Sequence, residues 1–337
     1  METTAVQNLM KNPVAWISLI LFIIGLVCWG NQLSGGFAFY SKQYAWGVYL
    51  SGFFAAVAAG SGAMFAACLS SLKGAKPARL YLAGLAAFVS AGFIIMADLG
   101  SPFNIFSLVF TSNFGAPMVM DFWLLALSAL FCLIGALSAY GKNTGFAVIG
   151  VILALILLGA EAWLIGMSVV QQLWSISMGA TPAIIQALVA GFALVLIVKA
   201  GDKDFGRCGL AAMLGIFLAS SLIDVLAGRN INGMLGAQWQ ALLCSGVFWL
   251  GLIVGVIIPL ILCLLKKADF VAGLTALFGI FCMKLAYLWS GAALPGLDIF
   301  KEATPDFDFF ELLVIIGFIG LSVLLYQLLK RGTVKHG

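Results

Sequence analysis

Ten apolar runs dominate this chain, near residues 14–33, 45–71, 81–98, 118–139, 145–168, 182–200, 209–227, 240–265, 270–291 and 309–329. A helix needs about 20 apolar residues to cross the hydrocarbon core of a bilayer. Within that core only helices and closed barrels satisfy every backbone amide, and these runs are too long for barrel strands. The chain is 63% hydrophobic and 9% charged, against roughly 25% charged residues in a soluble domain. The fold class that follows is an all-α integral membrane protein of about ten transmembrane helices.

The loops between the runs alternate between basic and nearly charge-free. With alternate loops assigned to one side, that side holds Lys11, Lys73, Lys76, Arg79, Lys142, Lys199, Lys203, Arg207, Lys266, Lys267, Lys330, Arg331 and Lys335. The other side holds Lys42, Arg229 and Lys301, and Lys284 is left inside a span. Cytoplasmic loops of membrane proteins carry the excess of Lys and Arg, so both termini are expected in the cytoplasm. The net charge of +4 then points to lipid headgroups rather than nucleic acid. No cleavable leader is expected, because the apolar run after Lys11 is too long for a signal-peptide core and no small-residue cleavage site follows it.

The whole chain, 1–337, reads as a single polytopic membrane domain. Residues 1–44 form a first span and outer loop, 45–168 a first four-helix half, 182–291 a second, and 309–337 a last span with a cytoplasmic tail. Two four-helix bundles, spans 2–5 and 6–9, are therefore expected, flanked by spans 1 and 10. A faint internal echo supports the division: Asp98 and Asp224 both close a span at its outer end, four spans apart. Span 2 carries Gly52, Gly60 and Gly62 with Ala55, Ala56, Ala58, Ala59 and Ala63. Close backbone approach is a main source of helix packing in lipid, so span 2 is expected near the centre.

Six ionisable residues fall in or at the edge of the outer leaflet: Asp98, Asp121, Glu161, Asp224, Lys284 and Glu311. A charge inside the bilayer costs at least ~2.5–3.5 kcal/mol, so it persists when paired, solvated or functional. The remaining inner acids, Asp202, Asp204 and Asp269, are expected in turns. The asymmetry predicts a polar cavity open to the outer face. Glu161 and Lys284 could pair with each other or with Asp224, while Asp121 suits a helix start and Glu311 the headgroups. Trp46 and Tyr49 open span 2 one turn apart, and Asn113, Gln171 and Gln172 add neutral polar groups. Trp163, Trp174, Trp239, Trp249 and Trp289 read as an aromatic belt at the interface. The seven cysteines are scattered singly, and His336 is the one histidine. That pattern gives no ligand set for haem, an iron–sulfur cluster or another metal.

The stretch from Tyr44 to Gly60, YAWGVYLSGFFAAVAAG, resembles the first helix motif of the NrfD/PsrC family. So do the run Asp98-Leu-Gly-Ser-Pro102-Phe, the run Asn113-Phe-Gly-Ala-Pro-Met118 and Asp121-Phe-Trp123. The resemblance covers 44–140, and the count of ten spans is similar to the hydrogenase-2 and alternative-complex-III branch. It implies the membrane subunit of a quinone-linked oxidoreductase, binding menaquinone or ubiquinone as an exchangeable partner and holding no haem or iron–sulfur cluster of its own. It implies a ferredoxin-like iron–sulfur subunit docked on the outer face, serving a molybdopterin, hydrogenase or multihaem cytochrome subunit. The expected location is the cytoplasmic membrane of a bacterium or archaeon.

Carried onto matching positions, the resemblance makes Asp98 the proton donor or acceptor, with Gly100 and Pro102 shaping the loop beside it. Trp46, Tyr49, Asn113 and Asp121 complete the expected quinone contacts, and Glu161, Asp224 and Lys284 an expected polar network. The family's basic residue in the Asp-Leu-Gly-Arg-Pro form is Ser101 here, and no span contains a histidine. The buried charges also suit a proton-coupled secondary transporter, and the bundle alone suits a structural anchor.

Overall fold

The computed structural model describes residues 12–34, 47–74, 77–99, 102–111, 113–138, 143–167, 172–200, 202–228, 230–292 and 309–333. Every regular element among them is helical. Among the described residues, ten helices are long and apolar enough to cross a membrane. They are α1 (Pro13–Ser34), α2 (Val48–Leu72), α3 (Ala78–Asp98), α4 (Pro117–Leu137) and α5 (Thr144–Gly166). The second series is α6 (Ala180–Val198), α7 (Lys203–Gly228), α8 (Gly246–Leu264), α9 (Asp269–Gly291) and α10 (Phe309–Thr333).

Local sequence sets several boundaries. Asn143 caps α5, its side-chain oxygen accepting from the amides of Gly145 at 2.7 Å and Phe146 at 3.4 Å. Pro117 opens α4, where its missing amide hydrogen costs nothing. Within α8 the turn Ile253–Ile257 widens to a π-helix just before Pro259. Proline cannot donate to the carbonyl four residues back, and a wider turn absorbs the mismatch.

The helices close into two rings. In the first, α2 packs on α3, α3 on α4, α4 on α5, and α5 back on α2. In the second, α6 packs on α7, α7 on α8, α8 on α9, and α9 back on α6. The rings meet through α2 against α6 and α9, while α1 and α10 pair and lean on the first ring through α10. This is the arrangement expected from the span order, with α2 central.

Glycine makes the closest crossings, because no side chain stands between the backbones. A methyl group on Gly62 of α2 would lie 2.6 Å from the backbone nitrogen of Gly191 of α6 and against the Ala187 carbonyl. On Gly25 of α1 it would lie 2.6 Å from the Cα of Gly317 of α10. Gly255 of α8 and Gly279 of α9 stand in the same relation at the π-helical turn.

The basic residues gather at one end of the bundle. Lys73, beyond α2, places its Nζ 3.6 Å from the ring centroid of Phe205 at the start of α7. Arg79, opening α3, donates to the Lys199 carbonyl beyond α6 at 3.4 Å. Arg207 joins α7 to α9 with a two-pronged bond to Asp269, 2.6 Å from Nε and 2.8 Å from Nη2, and reaches Asp204 at 3.2 Å. Asp204 and Asp269 thus stand in first helical turns rather than in loops, because a carboxylate there meets both the helix dipole and Arg207. The helix α7 accordingly starts six residues before the expected position 209.

The eighth span also differs. Gly233–Cys244 is a separate helix, and α8 starts only at Gly246 after an extended Ser245. Across the break, Trp249 Nε1 donates to the Leu243 carbonyl at 2.8 Å.

Gly62→Val should destabilise the bundle by at least ~1–3 kcal/mol, because the added atoms meet backbone on both sides. Gly92→Val, at a position with nothing within 4 Å, should have little effect. Thermal unfolding of the purified variants in detergent distinguishes them; equal stability would contradict the crossing.

Candidate functional site

In α4, α5 and α9 one ionisable residue stands eleven residues from a small residue buried inside the bundle: Asp121 from Cys132, Glu161 from Gly150, Lys284 from Gly273. Eleven residues make close to three helical turns, so each pair shares a face. The small residues fix that face inward. A methyl on Gly150 would lie 2.6 Å from Cys68 Sγ of α2, and one on Gly273 would lie 2.7 Å from the Ala193 carbonyl of α6. A methyl on Gly84 of α3 would lie 3.0 Å from Cys132 Sγ. The helix α4 runs toward the basic end, while α5 and α9 run away from it. All three ionisable groups therefore fall on the side away from the basic end.

The three form one deep group. Asp121, Glu161 and Lys284 are 6%, 2% and 1% exposed. Glu161 interacts electrostatically with both Asp121 and Lys284. The Lys284 ammonium also lies 5.6 Å from the ring centroid of Phe54 on α2, where the aromatic face supports a cation. Asp121 Oδ1 and Glu161 Oε1 have no hydrogen-bond partner among the described residues. Gln186 of α6 is 0% exposed with both amide atoms in the same condition. It precedes Ala187, whose carbonyl meets Gly62.

A second, rim group forms at the end away from the basic loops. The Tyr49 hydroxyl of α2 donates to Gln32 Oε1 of α1. Gln32 Nε2 is buried without a partner among the described residues. Asp98, the last residue of α3, is half-buried and interacts electrostatically with Glu311 in the first turn of α10. The Glu311 carboxylate lies 3.7 Å from where a side chain on Gly47 would begin. Four helices thus contribute one polar residue each.

Of the residues expected to share a cavity, Glu161 interacts with Lys284 and Asp121, whereas Asp98 interacts with Glu311. The physical reason is helix adjacency: the end of α3 is covered by α10, whereas α5 faces α2, α4 and α6. A small recess of about 10 Å³ lies between α2, α5 and α6, lined by Ser61, Phe65, Leu155, Leu158, Ile184 and Leu188. Ser61 is its one hydroxyl among these, so the recess is apolar.

Asp224 belongs to neither group. It is half-buried near Tyr287, on the second ring. Pro102 is buried at the start of a 3-10 turn, Pro102–Phe106, and Asn113 is exposed in the turn before α4. Trp46, Gly100 and Gln171 lie outside the described residues.

The aromatic belt is also revised. Trp163 and Trp249 are exposed, but Trp174 and Trp239 are buried. Trp174 Nε1 donates to the carbonyls of Tyr287 at 3.1 Å and Leu288 at 3.0 Å. Gln238 locks the same region, accepting from the Leu173 amide at 3.1 Å and donating to the Gly291 carbonyl at 2.9 Å. Gln32, Gln186 and Gln238 carry no formal charge, so a search for ionisable residues passes over them. The eleven-residue spacing was the signal that could have placed Asp121 beside Glu161.

No family model matches the chain. It is 26% identical over 262 residues to a Halobacterium salinarum protein that is named as a membrane subunit of dimethyl sulfoxide reductase. The match covers 64% of this chain and 60% of that protein, so the chain spans under two thirds of its relative's length.

Lys284→Met should cost ~3–5 kcal/mol, because it leaves the buried Glu161 carboxylate without its cation. The double variant Glu161→Gln, Lys284→Met should recover most of that loss. Unfolding of the single and double variants in a double-mutant cycle measures the coupling; strictly additive losses would break the group apart.

Proposed function

We propose that this chain is the quinone-reactive membrane subunit of a multi-subunit respiratory oxidoreductase, of the NrfD/PsrC type. The rim group carries the proposal. It holds Gln32 Nε2, an amide donor without a partner among the described residues, on a side chain bonded to Tyr49, at the same end of the bundle as the Asp98–Glu311 pair. Buried polar atoms are almost always hydrogen-bonded, and an orphaned one points to a ligand or water. Three further features support the reading: ten helices able to span a membrane, the motif run over 44–140, and the likeness to a protein named as a reductase membrane subunit.

The rim residues fit a quinone headgroup. A quinone presents carbonyl acceptors and a quinol presents hydroxyl donors, and their interconversion moves two electrons and two protons. Gln32 Nε2 donates to a carbonyl, with its amide oriented by the Tyr49 hydroxyl. Asp98 takes or returns a proton as general base or acid, and Glu311 beside it shares that charge. Trp46 and Gly100 complete the site on the strength of the motif alone, with Pro102 shaping the loop and Asn113 at its edge. Electrons pass to an iron–sulfur subunit docked on the end away from the basic loops, and the remaining member of the assembly is a molybdopterin, hydrogenase or multihaem cytochrome subunit. The basic loops face the cytoplasm of a bacterium or archaeon.

Asp121, Glu161 and Lys284 hold a proton store behind this site. Two carboxylates and one ammonium are neutral together when they share one proton. Asp224 is a half-buried carboxyl of the second ring and is not needed for this chemistry. The two closed rings also suit a proton-coupled carrier, which would move solute in vesicles as a lone protein.

Asp98→Asn in the assembled complex should lower quinol turnover about 10²- to 10⁴-fold, the usual contribution of a positioned acid–base group. Assembly, followed by co-purification of the partner proteins, should be unchanged. Quinol turnover at the unmodified rate removes Asp98 from the reaction.

A further inference from the structure

We propose that Arg79, Lys199, Lys330 and Tyr326 form a binding site for the phosphate of an anionic phospholipid at the basic end of the bundle. Three helices bring these residues together. Arg79 stands in the first turn of α3, Lys199 follows the last residue of α6, and Tyr326 and Lys330 lie near the end of α10. The helix α3 packs on both α6 and α10. Ser322 sets the register between α3 and α10, its hydroxyl donating to the Ala86 carbonyl at 2.5 Å. Arg79 stands seven residues before Ala86, and Lys330 eight residues after Ser322. The two helices run in opposite directions, so both cations reach one level, about 11 Å beyond that bond at 1.5 Å per residue.

The charges at this level are of one sign. Lys330 interacts electrostatically with Arg79 and Lys199, and its Nζ lies 5.7 Å from the ring centroid of Tyr326. Arg79 donates from Nη1 to the Lys199 carbonyl at 3.4 Å, using one of the five donors of its guanidinium. Arg79 also acts on Tyr326, whose Oη is buried without a partner among the described residues. Lys199 is held in the left-handed region at φ 53°, at a helix end where glycine is the usual residue. The described carboxylates of this end are engaged elsewhere: Asp204 and Asp269 hold Arg207, and Asp202 accepts from the Asp204 amide at 3.0 Å.

Like charges brought together repel, and a buried hydroxyl almost always has a partner. A phosphate group answers both conditions. It neutralises the cations, accepts from the Tyr326 hydroxyl, and matches the fork of the guanidinium with two of its oxygens. Lipid is the source of phosphate that fits this position. Basic pockets between the ends of membrane-spanning helices take anionic headgroups. Ile319 stands eleven residues before Lys330, three turns away on the same face of α10, and is 50% exposed. It offers an acyl chain an apolar wall next to the headgroup.

The test involves no quinone. The full chain, in its complex or alone, is stripped of native lipid in detergent and titrated with phosphatidylglycerol or phosphatidylcholine, and bound lipid is counted by native mass spectrometry. The site predicts that phosphatidylglycerol binds at least about tenfold more tightly, and that Arg79→Gln with Lys330→Gln abolishes the preference. Lys266→Gln with Lys267→Gln, which removes two exposed cations from the same end, should leave it unchanged. Tyr326→Phe takes away one oxygen and keeps the ring, so it tests the site even where the charge variant does not fold. It should weaken phosphatidylglycerol about fivefold or more and leave phosphatidylcholine unchanged. Inorganic phosphate should not displace the lipid. Equal binding of the two lipids, an equal loss in the variant of Lys266 and Lys267, or native affinity in Tyr326→Phe would overturn the site. Displacement by inorganic phosphate would overturn lipid as its occupant.

Discussion

A buried glutamate between a buried aspartate and a buried lysine sets the terms for the rest of the bundle. Lys284, Glu161 and Asp121 have no way out to water across their own helices, so they must meet inside. For that to happen, α4, α5 and α9 need one depth and facing sides. The glycines and cysteines three turns away supply this. They let α5 lie against α2 and α9 against α6 closely enough that the charged face of each helix is turned from lipid. Packing and electrostatics are one problem in this molecule. A small residue at Gly150 or Gly273 is a condition for a charge at Glu161 or Lys284.

The two rings divide the work unequally. Among the described residues, buried polar atoms without partners are numerous in the first ring and its flank, at Gln32, Ser61, Ser90, Asp121, Ser128 and Glu161, and the second ring adds both amide atoms of Gln186. Elsewhere in the second ring polar groups serve structure, as Gln238 and Trp174 show by fastening the short helix Gln172–Ser177 to the end of α9. Lys284 reaches from the second ring to a carboxylate of the first. The deep group therefore straddles the two rings, while the rim group joins the first ring to the flanking α1 and α10.

Much of this was legible in the sequence. Span count, ring membership and the central place of α2 follow from hydropathy, loop charge and the run of small residues from Gly52 to Ala63, because each is set by local composition. Depth was legible too, since position along a helix gives it directly. Azimuth was not. Asp98 ends its span and Glu161 stands deeper in its own, but which neighbours each meets depends on the packing, with α10 lying over the end of α3. The glutamines were missed for a different reason. A neutral amide costs less to bury than a charge, so Gln32 and Gln186 stand out less than the buried acids even where their bonding is incomplete. Trp174 and Trp239 were read as interfacial because tryptophan favours that depth, yet tertiary contacts with Gly291 and Gly228 bury both.

The account stands or falls on where a quinone headgroup sits. Photolabelling the native complex with an azido-quinone and mapping the modified peptides by mass spectrometry tests this directly. The account predicts labelling in the peptides holding Gln32, Tyr49 or Asp98, suppressed by excess unlabelled quinone. Suppressible labelling confined to 180–291, or none at all, would contradict it.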